Sequence, residues 1–157
     1  TKAGPLEAAS GSGSERSIAE QRVKPGWQMR KLVTFDFDDT LTLPIKDNEG
    51  YWVSGGSVPN EETIATMKEI DARGHEVAIV TSRIRTGGSK ERIAMFVMEH
   101  ELPVERDVVF TNKEWKADFL EEMGSVLHFD DSKEELERIE EKGIQAVEIP
   151  HLPGPRR

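Results

Sequence analysis

Three carboxylates lie within four consecutive positions of the chain, at Asp36, Asp38 and Asp39. At this spacing the like charges repel and raise one another's pKa unless a cation neutralises them. A hard divalent ion such as Mg²⁺ takes oxygen ligands of this kind. If the backbone here is extended, Asp36 and Asp38 point to the same side, so one could attack while the other handles a proton. The alternative is an acidic turn in which Asp39 or Thr40 only caps a helix.

A second polar group, Thr81, Ser82 and Arg83, follows an apolar run farther along the chain. A hydroxyl at the end of a buried strand can donate a hydrogen bond to a phosphate oxygen, although Thr and Ser after strands are usually turn residues. Lys116 stands early in an apolar-patterned helix and could neutralise a phosphoryl group, with Lys113 as the competing candidate. A lysine in such a place is otherwise a solvated surface residue.

A third polar group, Asp130, Asp131 and Ser132, also follows an apolar run. Two carboxylates at a strand end could complete a metal site. The alternative is that Asp131 or Ser132 only caps the next helix. The four histidines of the chain are scattered and show no metal-ligand spacing.

The elements that must position these groups alternate between strand and helix patterns. Strands are predicted over residues 31–35, 76–80, 107–111, 125–129 and 144–149. Helices are predicted between Asn60 and Gly74, over 89–100, up to Met123 and from Ser132 to Lys142. This alternation predicts an α/β protein, a three-layer Rossmann-like fold with a five-stranded parallel sheet. Because ligands sit beyond the carboxyl ends of such strands, we expect all three polar groups at one edge of the sheet.

The composition indicates a soluble globular chain, with 36% apolar and 32% charged residues. Residues 1–28 contain a Gly-Ser-Gly-Ser stretch and few apolar residues, which favours a flexible linker, a tail or the remnant of a tag. Residues 29–157 are predicted to form one domain. The sequence has no apolar run long enough for a membrane span and no signal-peptide pattern, so a cytoplasmic location is expected. The lack of cysteine excludes disulfides, thiolate metal sites and cysteine nucleophiles.

The net charge of −9 argues against nonspecific binding to nucleic acid, which needs a basic surface. A nucleic-acid substrate would have to be held by a metal or by a local basic patch. The basic run Arg83, Arg85, Lys90 and Arg92 could form such a patch against a phosphate backbone. The alternative is a solvated loop and helix start.

The ordered set of polar residues resembles the haloacid dehalogenase superfamily, and the likeness extends from residue 31 to about residue 149. The residues that carry it are Asp36-x-Asp38-x-Thr40, then Thr81, then Lys116, then Asp130-Asp131. The first of these motifs, directly after an apolar strand, is the most specific. Asp39 departs from the pattern, because many members have glycine at that position.

The resemblance implies a phosphatase, since the second acid of the first motif is absent from the dehalogenases. Asp36 would be the nucleophile that accepts the phosphoryl group. Asp38 would be the general acid and then the general base. Thr40 would hold the geometry of the loop.

The resemblance also implies the remaining site residues and a Mg²⁺ cofactor. Thr81, Ser82 and Lys116 would bind phosphoryl oxygens. Asp36, Asp38 (through its backbone carbonyl) and Asp130 would hold the metal. Asp131 and Arg83 would support the site.

The segments between the motifs are too short for the cap domain that many members of this superfamily carry. Residues 43–60 suit a small hairpin flap, because residues 47–50 have turn composition. The chain therefore resembles the capless members. Their open site suits a large substrate, or is closed by a partner. Tyr51 and Trp52 on the flap could stack on a base, or could pack against the sheet.

A finer resemblance connects the chain to the phosphatase domain of polynucleotide kinase-phosphatases, although Ser132 stands where those enzymes have arginine. The expected substrate is therefore a phosphomonoester, with a nucleotide or a nucleic-acid end as the first choice and no membrane involved. The alternatives are phosphotransfer to another acceptor by the same residues, or a non-catalytic module that binds phosphate or metal. A response-regulator receiver is disfavoured, because its phospho-accepting Asp follows the third strand, where this chain has Thr111 and Asn112.

Overall fold

A computed structural model describes residues 22–24 and 29–150, apart from the side chains of residues 52, 54 and 55. The strands are β1 (Leu32–Phe35), β2 (Thr42–Lys46), β3 (Trp52–Pro59), β4 (Glu76–Thr81), β5 (Val109–Phe110), β6 (Ser125–Asp130) and β7 (Gln145–Glu148). The helices are α1 (Glu61–Ala72), α2 (Ser89–Glu99), α3 (Ala117–Met123) and α4 (Lys133–Glu141). The predicted linker or tail over residues 1–28 lies mostly outside the described residues and stays a prediction.

Five of the strands form one parallel sheet in the order β5-β4-β1-β6-β7. After β1 the chain builds outward through β4 and β5, and then returns to the other side of β1 for β6 and β7. The strand order therefore reverses between β1 and β6, and α/β proteins bind ligands at such a switch point. The predicted Rossmann-like fold is confirmed, and the switch point lies at the carboxyl ends of β1 and β6.

The sheet is covered by helices on both faces, because its buried strands are apolar on both sides. One face packs against α1 and α2 through a cluster that includes Phe35, Phe129 and Met67. The rings of Phe35 and Phe129 stack with centroids 4.5 Å apart. The other face packs against α3 and α4, where Leu120 and Ile139 are fully buried. Three layers result, with the sheet in the middle.

The predicted helix caps form as expected. The side chain of Asn60 accepts a hydrogen bond from the backbone N of Thr63, and that of Ser132 accepts one from the backbone N of Glu135. Both contacts satisfy amide groups that a helix start leaves without a partner. Gly124 ends α3 at φ 83°, in the left-handed region that glycine adopts without strain.

The edge strand β5 is shorter than the predicted strand over residues 107–111. Of the residues predicted for this strand, only Val109 and Phe110 pair with β4, and Val104 adds an isolated bridge to Val77. Residues 105–107 are charged and exposed, so they leave the sheet instead of extending it. Short edge strands also limit unwanted pairing with other chains.

The predicted hairpin flap is present as an antiparallel pair of β2 and β3, outside the main sheet. Asp47 shapes its turn, because its Oδ1 accepts hydrogen bonds from the backbone N of Glu49 and of Tyr51. The only insertion between β1 and α1 is this hairpin, so the described chain has no separate cap domain. Within the described ranges, every helix is too short or too polar to cross a membrane.

Candidate active site

Asp36 lies directly after β1 and is held in place by its backbone and its side chain. Its backbone N donates to the carbonyl of Phe129, 2.9 Å away, which continues the ladder between β1 and β6. The hydroxyl of Thr40, fully buried, donates to Asp36 Oδ2 over 3.1 Å. Thr40 therefore restrains the rotation of the Asp36 carboxylate, and its predicted role in holding the geometry of the loop stays a prediction.

The loop after Asp36 is a tight turn and not extended chain. The backbone N of Thr40, of Leu41 and of Thr42 all lie within hydrogen-bonding distance of the carbonyl of Phe37. Asp39 adopts φ 61°, a left-handed conformation that favours glycine and that Asp tolerates. Strand β2 follows the turn, so Asp39 and Thr40 do not cap a helix here.

Lys116 joins the strand ends of β1 and β6 through its side chain. Its Nζ lies 2.9 Å from Asp36 Oδ1 and 2.6 Å from Asp130 Oδ2, and the whole residue is buried. Its backbone N donates to Glu135 Oε1 on α4, which fixes the start of α3. The competing candidate Lys113 is exposed and lies in a left-handed turn at φ 71°. Lys116 is thus the lysine next to the predicted nucleophile.

Asp130 and Asp131 complete a cluster of carboxylates at the switch point. Asp130 Oδ1 accepts a hydrogen bond from the backbone N of Ser132 over 3.1 Å. One carboxylate oxygen from each of Asp36, Asp130 and Asp131 lies within 4.8 Å of the other two. Such a set of oxygen ligands fits a hard divalent cation.

Burial and mutual repulsion govern the charges of this cluster. Burial raises the pKa of Asp36 well above its ordinary value, the neighbouring Asp130 adds to the rise, and Lys116 opposes it. Burial also raises the pKa of Asp131, to about 6. Burial acts in the same direction on Asp130, but the hydrogen bond from His128 and the charge of Lys116 hold its pKa below the ordinary value.

The ammonium of Lys116 is shared between two carboxylates. Burial tends to lower its pKa, but the charges of Asp36 and Asp130 outweigh burial and raise the pKa above the ordinary value. Lys116 contacts two of the three carboxylates in this cluster, so a further positive charge would stabilise all three in their ionised form. The donor set therefore fits the Mg²⁺ that the sequence predicts.

Asp38 lies in the turn that follows β1, so its direction does not follow from the alternation of an extended strand, and its predicted roles stay predictions. Its carboxylate forms a two-pronged ion pair with Arg83, with contacts of 2.8 Å to Nε and 2.7 Å to Nη2. The guanidinium also lies 5.4 Å from the centre of the Phe37 ring. Asp38 is about half exposed, so solvent or a ligand can reach it.

Thr81 and Ser82 end β4 at the same edge of the sheet as Asp36. Thr81 is fully buried, and its Oγ1 accepts a hydrogen bond from the backbone N of Arg83 over 3.2 Å. The carbonyl of Ser82 accepts from the backbone N of Lys113 over 2.8 Å. The hydroxyl of Thr81 thus shapes a turn, and the binding of phosphate by both residues stays a prediction.

Four polar residues near the cluster were missed by the sequence reasoning: Thr34, Ser125, His128 and Glu135. His128 contacts Asp130 directly, with Nε2 2.9 Å from Oδ2. The signal for it was present, because His128 and Asp130 are two positions apart on one strand and therefore share a face. Glu135 gave no such signal, since its contact with Lys116 depends on how α4 packs.

A cleft of about 620 Å³ opens between the hairpin flap and α2, with Asp38 and Arg83 in its wall. Its apolar lining includes Phe37, Met95 and Phe96. Arg92 from the predicted basic run also lines the cleft. Arg85 and Lys90, which belong to the same run, are exposed. Tyr51 is partly exposed at the flap, and the side chain of Trp52 lies outside the described part of the chain.

Comparisons with known proteins find similar solved structures but no similar family or curated sequence. No protein-family model and no curated protein matches this chain. Among solved structures, a chain of the Pnkp1/Rnl/Hen1 complex superposes with a TM-score of 0.56 at 16% sequence identity. The alignment covers 80% of this chain and 48% of that chain, so this chain spans about half the length of its structural neighbour. At this identity the likeness establishes the fold alone.

Proposed function

We propose that this chain is a Mg²⁺-dependent phosphatase that hydrolyses phosphomonoesters through an aspartyl-phosphate on Asp36. The observation that carries the proposal is the buried contact of Lys116 with both Asp36 and Asp130 at the switch point of the sheet. The ordered motif that resembles the haloacid dehalogenase superfamily supports the same chemistry. The structural neighbour in the Pnkp1/Rnl/Hen1 complex has a compatible fold.

In the first step, a carboxylate oxygen of Asp36 attacks the phosphorus atom and the bond to the leaving oxygen breaks. The ammonium of Lys116, 2.9 Å from Asp36 Oδ1, offsets the repulsion between this carboxylate and the incoming phosphoryl oxygens. Thr40 keeps the carboxylate in one rotation through its hydrogen bond to Oδ2. Thr81 and Ser82 would donate to the phosphoryl oxygens from the end of β4.

Asp38 moves the protons in both steps of the proposed reaction. It protonates the leaving oxygen in the first step. In the second step it takes a proton from the water that attacks the phosphorus atom, and the bond between phosphorus and the Asp36 oxygen breaks to release phosphate. In the ion pair with Arg83, both carboxylate oxygens of Asp38 accept hydrogen bonds, so Asp38 carries no proton to donate. Asp38 must therefore exchange this pair for a proton before it can act as an acid, which its exposure allows.

Asp36, Asp130 and Asp131 would hold Mg²⁺, with the backbone carbonyl of Asp38 as a further predicted ligand. When bound, the ion would neutralise the carboxylates and the charge that develops on the phosphoryl group. Lys116 and the ion would then share the neutralisation of Asp36. The buried position of Lys116 beneath the cluster is compatible with this division.

The cleft beside Asp38 supports a nucleotide or a nucleic-acid end as the leaving group. Its volume lies within the usual range of about 300–1,000 Å³ for small-molecule sites. Phe96, which is half-buried, offers aromatic surface for a base, and Arg92 offers a cation for a second phosphate. A site without a cap domain also leaves room for a longer strand.

The test is the release of phosphate from nucleotides, from oligonucleotides phosphorylated at the 3′ or 5′ end, and from sugar phosphates, with Mg²⁺ and with a chelator. Asp36→Asn keeps the shape of the side chain and removes the nucleophile, so we expect release to fall to background. Asp107→Asn, an exposed aspartate far from the cluster, is the matched control and should leave release unchanged. Equal release by native protein and Asp36→Asn would overturn the proposal.

A further inference from the structure

We propose that His128 is a positioning residue that holds Asp130 in the orientation needed to bind both Lys116 and the metal. The inference rests on the metal site of the proposed function. It concerns a residue that lies inside the sheet and does not reach the substrate cleft. Its evidence is a chain of buried hydrogen bonds that ends on one oxygen of Asp130.

The contact between His128 and Asp130 has a defined direction. Nε2 lies 2.9 Å from Asp130 Oδ2, and both side chains are buried. An ionised carboxylate can only accept hydrogen bonds, so Nε2 must carry the hydrogen and donate it. The same oxygen accepts from Lys116 Nζ over 2.6 Å.

Three donors thus fix the carboxylate of Asp130. Lys116 and His128 share Oδ2, and the backbone N of Ser132 donates to Oδ1. A carboxylate has about four acceptor positions. The fixed orientation leaves capacity on Oδ1 for a cation, next to the oxygens of Asp36 and Asp131.

The other end of the imidazole is held as well. Nδ1 lies 2.8 Å from Thr34 Oγ1, which in turn lies 2.8 Å from Ser125 Oγ. All three residues are buried in the sheet, on adjacent strands β1 and β6. The ring therefore cannot turn away from Asp130 without breaking the contact with Thr34.

Because His128 and Asp130 are both buried, other orientations of the Asp130 carboxylate are disfavoured. If Asp130 rotated away, the N–H of His128 would be left without a partner inside the sheet, and an unpaired buried donor costs free energy. His128 therefore restricts the carboxylate of Asp130 to one orientation before a cation binds. Hydrogen-bond partners of this kind, behind a metal ligand, change metal affinity by about 10–100-fold when they are removed.

Two substitutions of His128 separate the donor to Asp130 from the rest of the side chain. Gln can place its amide nitrogen where Nε2 lies and so keeps the donor to Asp130. Asn reaches only the position of Nδ1, so it keeps the contact with Thr34 and loses the donor. Both are polar, neutral amides, so their cost in the buried sheet is similar in kind.

The measurement is the Kd for Mg²⁺, obtained by calorimetry on the full chain without substrate, together with the thermal midpoint of each variant. We expect His128→Asn to raise the Kd about 10–100-fold, and His128→Gln to stay within about threefold of the native protein. Equal Kd values for the two variants would overturn the role of His128. Failure of the native protein to bind Mg²⁺ would instead overturn the metal site on which the inference rests.

A second pair of variants serves if His128→Asn does not fold. Thr34→Val keeps the shape of the strand and removes the contact with Nδ1, whereas Ser125→Ala removes a hydroxyl that contacts Thr34 but not His128. We expect a Kd several-fold higher in Thr34→Val alone. The same Kd in both variants would overturn the inference.

Discussion

Two ion pairs of nearly equal length lie at the same edge of the sheet and differ in their surroundings. Lys116 contacts Asp36 over 2.9 Å with side chains only 3% and 7% exposed. Arg83 contacts Asp38 over 2.7 Å with side chains 26% and 47% exposed. The first pair joins the end of β1 to the start of α3 inside the fold, and the second lies in loops beside the cleft.

The difference in exposure suits the two different roles that Asp36 and Asp38 have in the proposed reaction. A buried pair keeps its geometry, because breaking it would leave an uncompensated charge away from water. A half-exposed pair contributes little to stability and can exchange its partner with solvent or substrate. The fixed pair therefore carries the proposed nucleophile, and the exchangeable pair carries the proposed proton donor.

The largest effect is expected when the buried cluster loses its lysine. Lys116→Met should lower the free energy of unfolding by about 3–5 kcal/mol, because Asp36 and Asp130 remain buried without their cation. Phosphate release should fall by about 10²–10³-fold, in line with the loss of a strong charge contact in the transition state. Urea unfolding and phosphate release measure the two effects.

Two further variants sharpen this result. Lys113→Met, an exposed lysine in the loop before α3, is the matched control and should change neither quantity. Adding Asp130→Asn to Lys116→Met should restore part of the stability, because one fewer buried carboxylate then lacks its cation. It should restore none of the activity. A native-like stability in Lys116→Met alone would contradict the picture of a fixed, buried pair.

Removing the carboxylate of Asp38, which is half exposed, should cause a large loss of activity and little loss of stability. Asp38→Asn removes the proposed proton donor, which should lower kcat by about 10²–10⁴-fold. Its free energy of unfolding should change by less than about 1 kcal/mol, since the pair with Arg83 is half exposed. The loss of rate should be smaller for an aryl phosphate than for an alkyl phosphate, because an aryl oxide leaves without a proton. An equal loss for both esters would remove Asp38 from this role.

Arg83 should show a moderate effect that depends on its shape as well as its charge. Arg83→Lys keeps the charge but cannot form two parallel hydrogen bonds with a carboxylate. We expect kcat/KM to fall about tenfold, which equals about 1.4 kcal/mol and matches one charge-assisted hydrogen bond. Arg85→Lys, in the same exposed loop, should have no effect in the same assay. A loss in Arg85→Lys as large as in Arg83→Lys would indicate a general effect of the basic run.

The smallest effect belongs to a surface pair far from the site, between Glu76 and Arg106. The hydrogen bond from Arg106 lowers the pKa of Glu76, although burial opposes it. The pair therefore adds stability above the ordinary pKa of the glutamate, and this contribution disappears as the pH falls through the lowered pKa.

At pH 7, Arg106→Gln should lower the free energy of unfolding by about 0.2–1 kcal/mol. The difference from native protein should vanish once the pH has fallen below the lowered pKa of Glu76, and phosphate release should be native at pH 7. A difference that persists at low pH would mean that Arg106 acts through packing and not through charge.

Local sequence patterns predicted a large part of this structure. The five strands, the caps at Asn60 and Ser132 and the hairpin flap all follow from periodicity and turn chemistry, which depend on neighbours along the chain. The rule that parallel strands end at one edge then brought Asp36 and Asp130 together. The predicted length of β5 was wrong, because the end of this edge strand depends on pairing with β4 and not on strand propensity alone.

The sequence by itself thus determined the α/β fold and the strand ends that carry the polar groups. The tertiary structure decided which groups touch: Lys116 and not Lys113 reaches Asp36, and Asp38 pairs with Arg83, 45 positions away. It also decided that His128 lies between Asp130 and Thr34. The physical reason is that these contacts depend on strand register, on the turn after β1 and on how α3 and α4 pack, which local patterns do not encode.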